Sequence, residues 1–459
     1  HPFITTDFSE ALVEVVTPTF GRVSALWRFL EYLHPLLYRT VLDDDELLWA
    51  SSMPCILRGD QEVPIAWYGA SNLAQLKSLY RHGLGNRYGR SMQTIAGVHY
   101  NFSFTDKSLE LLRQAGYDTD RNAFYLGGLR NVMRLGWLLL YLFGASPAVC
   151  KTYLRAQPRL DVLSAPETLT ASTLYLDHAT SLRMSPIGYS NQQIGNIKVS
   201  FNHLDEYLSD LRILLTTDSD YTGAQLNHKL LQIENELYAS VRPKQPLLFE
   251  SERHFNALKQ RGIRYLELRL LDINPFTPLG VTEPQLYFLQ LIMAYCLLTP
   301  SAYLMPEDYR VIRKNNETVS LYGRDSTCKL HLDGQVLSLA EAYQRIADDL
   351  AEMASIMDSS MNTSAYTQAL TTYSAYFSMP ELTPSAQFLD FMKTHDACFH
   401  TAAKILSQAH GDYYRKLPCK PAEIALHQTL AHESLRTAEA IQDDLPFTTY
   451  LDHYLELDA

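Results

Sequence analysis

The residues with chemistry to offer lie on segments whose side chains alternate between two faces. In Val98-His99-Tyr100-Asn101-Phe102-Ser103-Phe104, the residues Val98, Tyr100, Phe102 and Phe104 share one face of a strand and His99, Asn101 and Ser103 share the other. In Ile263 to Asp272 the same geometry puts Glu267 and Arg269 on one face and Leu266, Leu268 and Leu270 on the reverse. Near the start, Leu12, Glu14 and Val16 share a face against Val13 and Val15, and Ile233 to Tyr238 reads the same way, aligning Glu234, Glu236 and Tyr238. Strand carboxylates beside an imidazole suit magnesium, which prefers oxygen ligands, keeps some of its waters and is shared with substrate phosphates. Glu14, Glu267 and His99 are such residues. The planar fork of Arg269 is what a phosphoryl group in transfer needs.

Each of these has a plainer reading. A single strand carboxylate usually faces solvent. Against that stands apolar company on both faces: Leu12 and Val16 beside Glu14, and Tyr265 and Leu271 around Glu267 and Arg269. Glu267 and Arg269 equally describe a same-face ion pair, worth little if exposed. His99 alone reads as an interior histidine, and its neighbour Asn101 on the same face is what raises it. The stretch from Leu79 to Gly89, with Gly83 and Gly85, is either a helix end running into a phosphate-binding loop or a plain helix C-cap. Asp43-Asp44-Asp45-Glu46 has the look of a metal site but reads as a solvated loop followed by a helix start, where acidic residues favour the dipole. Tyrosines number 29 against 18 phenylalanines, and Tyr80, Tyr189 and Tyr238 stand beside the charged candidates. Most buried tyrosines only pack and hydrogen-bond.

These strands need helices to cover their apolar faces. Between Arg22 and Val41, apolar residues recur at three- and four-residue spacings, which predicts an amphipathic helix. A second helix is expected over Ser71 to Arg81 and a third over Arg121 to Phe143. From about Leu337 onward the pattern is helical again, with Thr383-Pro384-Ser385 as an N-cap and first-turn proline. The expected architecture is α+β, with a sheet that is polar on one face, flanking helices and a helical end. The 459 residues, 46% of them hydrophobic and 20% charged, can bury a core. A net charge of −12 disfavours nucleic acid and anionic membrane surfaces as partners. The six cysteines are scattered with no zinc-type spacing, as in a cytoplasmic protein with reduced thiols. The run from Trp137 to Phe143 is too short to span a bilayer and reads as a buried helix segment.

Several segments together resemble a known family. They are Ile4 to Glu14, Gln93 to Phe102, Gln232 to Tyr238 and Glu267 to Phe276, with Tyr141 to Pro147 and Ala179 to Arg183 in support. All resemble the proteobacterial type of glutamate–cysteine ligase, in the same order along nearly the whole chain. The resemblance implies a fold related to glutamine synthetase: a curved antiparallel sheet whose concave face holds ATP, metal and amino acids. It implies a catalytic core over residues 1–335 and a helical subdomain over 336–459. It implies magnesium, or manganese in its place, at Asp7, Glu14, His99 and Glu267. Arg81 and Arg269 are then the arginines at the transferred phosphoryl group and ATP. Tyr80, Gln93, Asn101, Arg183, Tyr189 and Tyr238 line the amino-acid pockets, with Tyr189 and Tyr238 nearest the cysteine moiety. The partners implied are L-glutamate, L-cysteine and ATP, in a monomer of the cytoplasm. The product is the first intermediate of glutathione biosynthesis.

Two departures from the family pattern stand out. The family begins with a further strand bearing a Leu-Glu-x-Glu-like pair of carboxylates, which nothing before His1 supplies. Either those residues lie outside the sequence, or the chain is truncated, or the metal site is impaired. Cys55 resembles a family cysteine that forms a disulfide in some members, yet no partner cysteine occurs from Asp106 to Asp118. The rival readings are another ATP-dependent carboxylate–amine ligase on the same scaffold and a non-catalytic homologue lacking the upstream carboxylates.

Overall fold

The structure is a computed structural model that describes residues 1–43, 46–54, 56–117, 120–155, 167–188 and 198–457. Alternating segments become sheet where their apolar face can be covered. β1 (Ile4–Thr6) and β2 (Val13–Val15) form a small antiparallel hairpin with Thr5 opposite Glu14. β3 (Val98–Phe102) pairs with β8 (Tyr265–Leu271), which pairs in turn with β7 (Val241–Lys244), all antiparallel and in the order β3-β8-β7. A second sheet has the order β4-β6-β5, from β4 (Ala148–Cys150), β5 (Glu167–Thr170) and β6 (Thr173–Tyr175). β9 (Lys329–Leu332) and β10 (Gln335–Ser338) make a second hairpin.

The helices of the first part are α1 (Val23–Asp43), α2 (Asn72–Tyr88), α3 (Asp106–Gln114), α4 (Arg121–Arg134), α5 (Gly136–Phe143), α6 (Lys151–Arg155), α7 (Leu204–Thr216) and α8 (His254–Arg261). Those that follow are α9 (Glu283–Leu298), α10 (Pro306–Tyr322), α11 (Leu339–Met361), α12 (Ala365–Ser374), α13 (Pro384–Thr394), α14 (Phe399–Lys416), α15 (Pro421–Glu439) and α16 (Phe447–Leu455). Their starts follow local chemistry. Thr282 and Gln285 cap α9 reciprocally, Ser338 and Glu341 do the same for α11, and Thr383 caps α13 with Pro384 in its first turn, as expected.

The main core lies under the apolar face of the β3-β8-β7 sheet. Leu266, Leu268 and Leu270 from β8 and Tyr100 and Phe102 from β3 meet Leu129, Trp137, Leu289 and Ile292 from α4, α5 and α9. Each such side chain contributes about 1.5–3 kcal/mol by leaving water. A second core joins β4 and β6 to α13 and α14 through Val149, Leu174, Phe388 and Phe399. The segment Trp137–Phe143 is buried throughout, and no helix among the described residues is long and apolar enough to cross a membrane.

Three sequence expectations change. The third helix breaks at Leu135 into α4 and α5. Asp43 ends α1 and no helix starts at Glu46; Asp44 and Asp45 lie outside the described residues. There the backbone is held as a loop instead: the Ala50 N–H donates to Ser407 Oγ at 3.0 Å and Trp49 Nε1 to the Met53 carbonyl at 2.9 Å. The third change, the segment Ile233 to Tyr238, belongs to the candidate site.

Helices α4 and α9 cross at Gly128, where an added Cβ would lie 2.4 Å from Leu297 Cδ2 and 3.1 Å from its Cα. Alanine gains about 1 kcal/mol over glycine in a helix, whereas overpacking costs about 1–3 kcal/mol. Because backbone is among the atoms met, the clash wins. Gly128→Ala should lower the unfolding free energy by about 1–2 kcal/mol in urea titration. An unchanged or higher value would mean that the two helices part without loss.

Candidate functional site

The polar face of the β3-β8-β7 sheet carries a row of three side chains in register: Asn101 on β3, Glu267 on β8 and Arg242 on β7. At the next position His99 stands opposite both Arg269 and Leu270, because β8 has a bulge there. His99 shares its strand face with Asn101 and so lies on the Glu267 side: Arg269 Nη1 is 3.4 Å from His99 Nδ1 and donates to Glu267 Oε2 at 3.3 Å. Arg242 Nη1 lies 4.0 Å from the same carboxylate oxygen. Burial alone would raise the Glu267 pKa, but Lys244, Arg269 and Arg242 outweigh it and hold the carboxyl down to about 2. The desolvated surroundings of His99, reinforced by Arg269, push its imidazole down to about 3, so it is neutral at physiological pH.

The β1–β2 hairpin forms the facing wall. Phe8 is buried against Val63 and Leu84, which fixes the hairpin to α2. Arg81 on α2 donates through Nε to the Asp7 carbonyl at 2.5 Å and through Nη1 to the Lys77 carbonyl at 2.9 Å. Its guanidinium stacks 4.6 Å from the Tyr68 ring centre, and the Tyr68 hydroxyl donates to the Thr6 carbonyl at 2.8 Å. Asp7, Glu14 and His99 keep solvent-facing surface while standing deep among other atoms, which describes a concave cleft. Burial first, then the nearby Asp7 and Glu267 carboxylates, push Glu14 up to about 7 against the pull of Arg81 and Arg269. Asp7 is raised by burial against the same two arginines. Glu14 therefore feels Asp7, Arg81, Glu267 and Arg269 at once, and the four expected residues Glu14, His99, Glu267 and Arg269 share one cleft.

A second wall is aromatic. Gln93 Nε2 donates to the Tyr238 hydroxyl at 2.9 Å, and Tyr88 meets Tyr238 edge to face at 5.8 Å. The Tyr80 hydroxyl is raised by burial and then by Glu236 and Tyr238, which places it between this wall and Arg81. The segment that delivers Tyr238 is not a strand. Glu234–Glu236 is a single 3-10 turn, and its carboxylates do not line up for chemistry. Glu234 accepts from Arg253 Nη2 at 2.6 Å, and Glu236 accepts from Arg87 Nη1 at 3.0 Å and from the Tyr88 hydroxyl at 2.7 Å. Buried charge demands paired charge, and that demand overrides the local alternation.

Of the two readings of Leu79 to Gly89 the plain C-cap holds, and it falls on Gly89, with φ +82°: α2 runs through Gly83 and Gly85 to Tyr88 and leaves no glycine-rich phosphate loop. A Cβ at Gly83 would sit 2.0 Å from Gln232 Oε1, and one at Gly85 would sit 2.9 Å from Arg90 Cγ. Close approach, not a turn, requires the glycines. Arg183 lies under the cleft floor with a side chain 2% exposed: it is 3.5 Å from Asp272 and donates to the Arg269 carbonyl at 3.0 Å. Tyr189 and Cys55 lie outside the described residues. Sequence reasoning missed Arg242 and Lys244, whose period-two spacing is interrupted by Pro243, a residue that β7 tolerates because it is an edge strand.

Among the described residues, no three His, Cys, Asp or Glu side chains close tightly enough to hold a metal ion by themselves. A cation shared with substrate phosphates needs fewer protein ligands. The repulsion that Asp7 and Glu267 exert on Glu14 is the charge imbalance that such a cation would relieve. Arg81 and Arg269, on facing walls, could then receive a multiply charged anion between them.

A family model for glutamate–cysteine ligase matches residues 1–319. The glutamate–cysteine ligase of Alcanivorax borkumensis is 37% identical, the alignment covering 99% of this chain and 89% of that protein. That of Pseudomonas entomophila is 39% identical over 94% of this chain and 83% of its own. The crystal structure of glutamate–cysteine ligase from Francisella tularensis in complex with AMP superposes with a TM-score of 0.88 at 27% identity, covering 99% of this chain and 90% of that one. A bifunctional glutathione synthetase from Pasteurella multocida shares the fold, with a TM-score of 0.71 at 21% identity over 90% of this chain and 48% of that one. The mixed architecture is thus that of the glutamine synthetase-like ligases.

The buried floor gives a direct test. Asp272 accepts from Ala145 N at 2.8 Å, Ser146 Oγ at 2.7 Å and Ser181 Oγ at 3.0 Å besides facing Arg183. Removing one partner of a buried ion pair costs about 3–5 kcal/mol. Asp272→Ala should lose that much in chemical unfolding, whereas a loss under about 1 kcal/mol would mean that water replaces the carboxylate.

Proposed function

Because the chain belongs to the glutamate–cysteine ligase family, we propose that it joins the γ-carboxyl group of L-glutamate to the amino group of L-cysteine at the expense of ATP. An unactivated carboxylate does not accept an amine. The γ-carboxylate oxygen therefore attacks the ATP γ-phosphorus, ADP leaves, and a γ-glutamyl phosphate results. The cysteine nitrogen then attacks the acyl carbon, phosphate departs from the tetrahedral intermediate, and the ammonium proton is lost. The observation that carries this reading is the meeting of Arg81 and Arg269 with Asp7, Glu14 and Glu267 in one cleft.

In this scheme Arg81 and Arg269 donate to the phosphoryl oxygens, where charge must be held while bonds exchange. Magnesium, with manganese as an alternative, would neutralise phosphate oxygens when held by Asp7, Glu14, His99 and Glu267. The neutral state of His99 and the ionised state of Glu267 suit both as ligands. Gln93 and Tyr238, already hydrogen-bonded to each other, line the amino-acid pockets with Tyr80 and Asn101, a set to which the family resemblance adds Tyr189. Arg183 works from below: its guanidinium engages Asp272 and the Arg269 carbonyl, so it sets the height of β8. The product would feed glutathione synthesis, and the enzyme would act as a cytoplasmic monomer.

The test is ADP release and γ-glutamylcysteine formation by the purified protein with ATP, magnesium, glutamate and cysteine. Release should depend on both amino acids, and heavy oxygen placed in the glutamate γ-carboxylate should appear in inorganic phosphate. A different amine used in preference to cysteine, or label that stays out of phosphate, would overturn the scheme. Arg269→Lys should lower turnover about a hundredfold or more with unfolding unchanged, since an ammonium cannot reproduce the fork. Turnover within about twofold of the parent would leave Arg269 as only an ion-pair partner of Glu267.

A further inference from the structure

Helix α16 is short and solvent-facing, yet it touches both elements that carry the aromatic wall. Its residues Phe447, Tyr450, Leu451, Tyr454 and Leu455 follow the spacing of one helix face, and the intervening Thr448, Asp452 and His453 are exposed. That face packs against a cluster formed by Leu76 of α2, Leu226, and Ile233 at the start of the 3-10 turn, with Tyr80 at its edge. Polar contacts fix both ends. Ahead of α16, the Asp443 carboxylate accepts from the Asn72 N–H at 2.8 Å, and Asn72 Nδ2 donates to the Leu445 carbonyl at 2.8 Å. Asp443 thus satisfies a first-turn amide of α2 and places negative charge at the positive end of its dipole. At the other end the Leu455 carbonyl accepts from Arg253 Nη1 at 3.1 Å, and the Arg253 guanidinium stands 5.7 Å from the Tyr454 ring centre.

Arg253 is the same residue that holds Glu234 at 2.6 Å. The turn so held presents the Asn235 and Leu237 carbonyls to Arg242 Nη2, and Arg242 faces Glu267. A continuous set of contacts therefore runs from α16 to both walls of the cleft, through α2 to Tyr80 and Arg81 and through Arg253 to the turn before Tyr238.

The structure assigns to the segment Asp443–Leu455 the role of a clasp that positions Tyr80, Arg81 and Tyr238 for substrate, a role we infer on the basis of the function proposed above. The clasp residues touch no substrate; they act by setting the distance between two substrate-facing elements. A misplacement of about 1 Å at such elements costs on the order of a hundredfold in rate. The buried leucines of the main core lie elsewhere, so undocking the clasp leaves the body of the fold intact.

The experiment uses the full chain with Leu451→Asp, which puts a charge on the packed face, and Leu451→Met as its conservative counterpart. Leu451→Asp should raise the KM for the amino-acid substrates at least about tenfold with the unfolding midpoint little changed, and Leu451→Met should match the parent. Amide hydrogen exchange should quicken in peptides covering residues 72–88 and 232–238 and stay unchanged in β8. Asp443→Ala should give a smaller rise of the same kind, and Asp443→Asn, which keeps an acceptor for Asn72, should restore the parent value. This second pair decides the matter if Leu451→Asp does not fold. Parent-like KM and exchange in Leu451→Asp, or in Asp443→Ala where that variant decides, would overturn the clasp. An inactive parent would instead tell against the ligase reading, and the exchange pattern alone would then judge the clasp.

Discussion

Glu267 keeps its negative charge between Arg269 and Arg242 on a sheet face whose reverse is packed with leucine, and the cleft is built outward from that arrangement. Were the carboxylate paired tightly with one arginine, both would be consumed. Instead Arg269 Nη1 is shared between Glu267 and His99, and Arg242 stands 4.0 Å away with its own donors turned to the carbonyls of the 3-10 turn. The arginines thus stabilise the charge with one long hydrogen bond from Arg269 and no bidentate pair, and Arg269 retains donor capacity toward the cleft. Partial burial is what gives these distances their weight, since in open water the same charges would barely sense one another.

The support for that face comes from below and from the side. Beneath it, Asp272 and Arg183 form a wholly buried pair threaded through Ser146 and Ser181, so the end of β8 cannot rise or sink. Gly97 lets this pair fit, because a Cβ there would lie 2.1 Å from Arg183 Nη2. On the side, α2 carries Tyr80 and Arg81 on one stretch and Arg87 and Tyr88 about two turns later. One helix therefore serves both the charged and the aromatic wall. Its Gly83 admits Gln232, which ties the 3-10 turn to the same helix.

How much of this was legible in the sequence follows from where each constraint acts. β3 and β8 were legible because a covered apolar face imposes a period of two on its own residues, and α1 because burial imposes a period of three to four. Glu234 and Glu236 misled because their alternation is indistinguishable locally from a strand, while the partners that decide their fate, Arg253 and Arg87, lie 19 and 149 residues away. The C-cap of α2 was legible at Gly89, whereas the need for Gly83 was not, because the atoms that require it belong to Gln232, far along the chain. The family resemblance drew together Asp7, Arg81 and Glu14, which no local pattern links. Arg242 stayed hidden because a proline sits in its strand.

The bulge on β8 has a consequence for how this chain can vary over time. Two residues there, Arg269 and Leu270, stand opposite His99 alone, and from Leu270 on the chain is buried at three successive residues, Leu270, Leu271 and Asp272. Simple alternation thus ends at the bulge, and the place of the buried carboxylate Asp272 relative to the cleft carboxylate Glu267 is set by the number of residues between them. A single-residue deletion or insertion between them would leave one of the two on the wrong side of the sheet, with a charge in leucine or a leucine in the cleft. The loops on either side can lengthen and shorten as lineages diverge, but the four residues between these two carboxylates can change in kind and not in number.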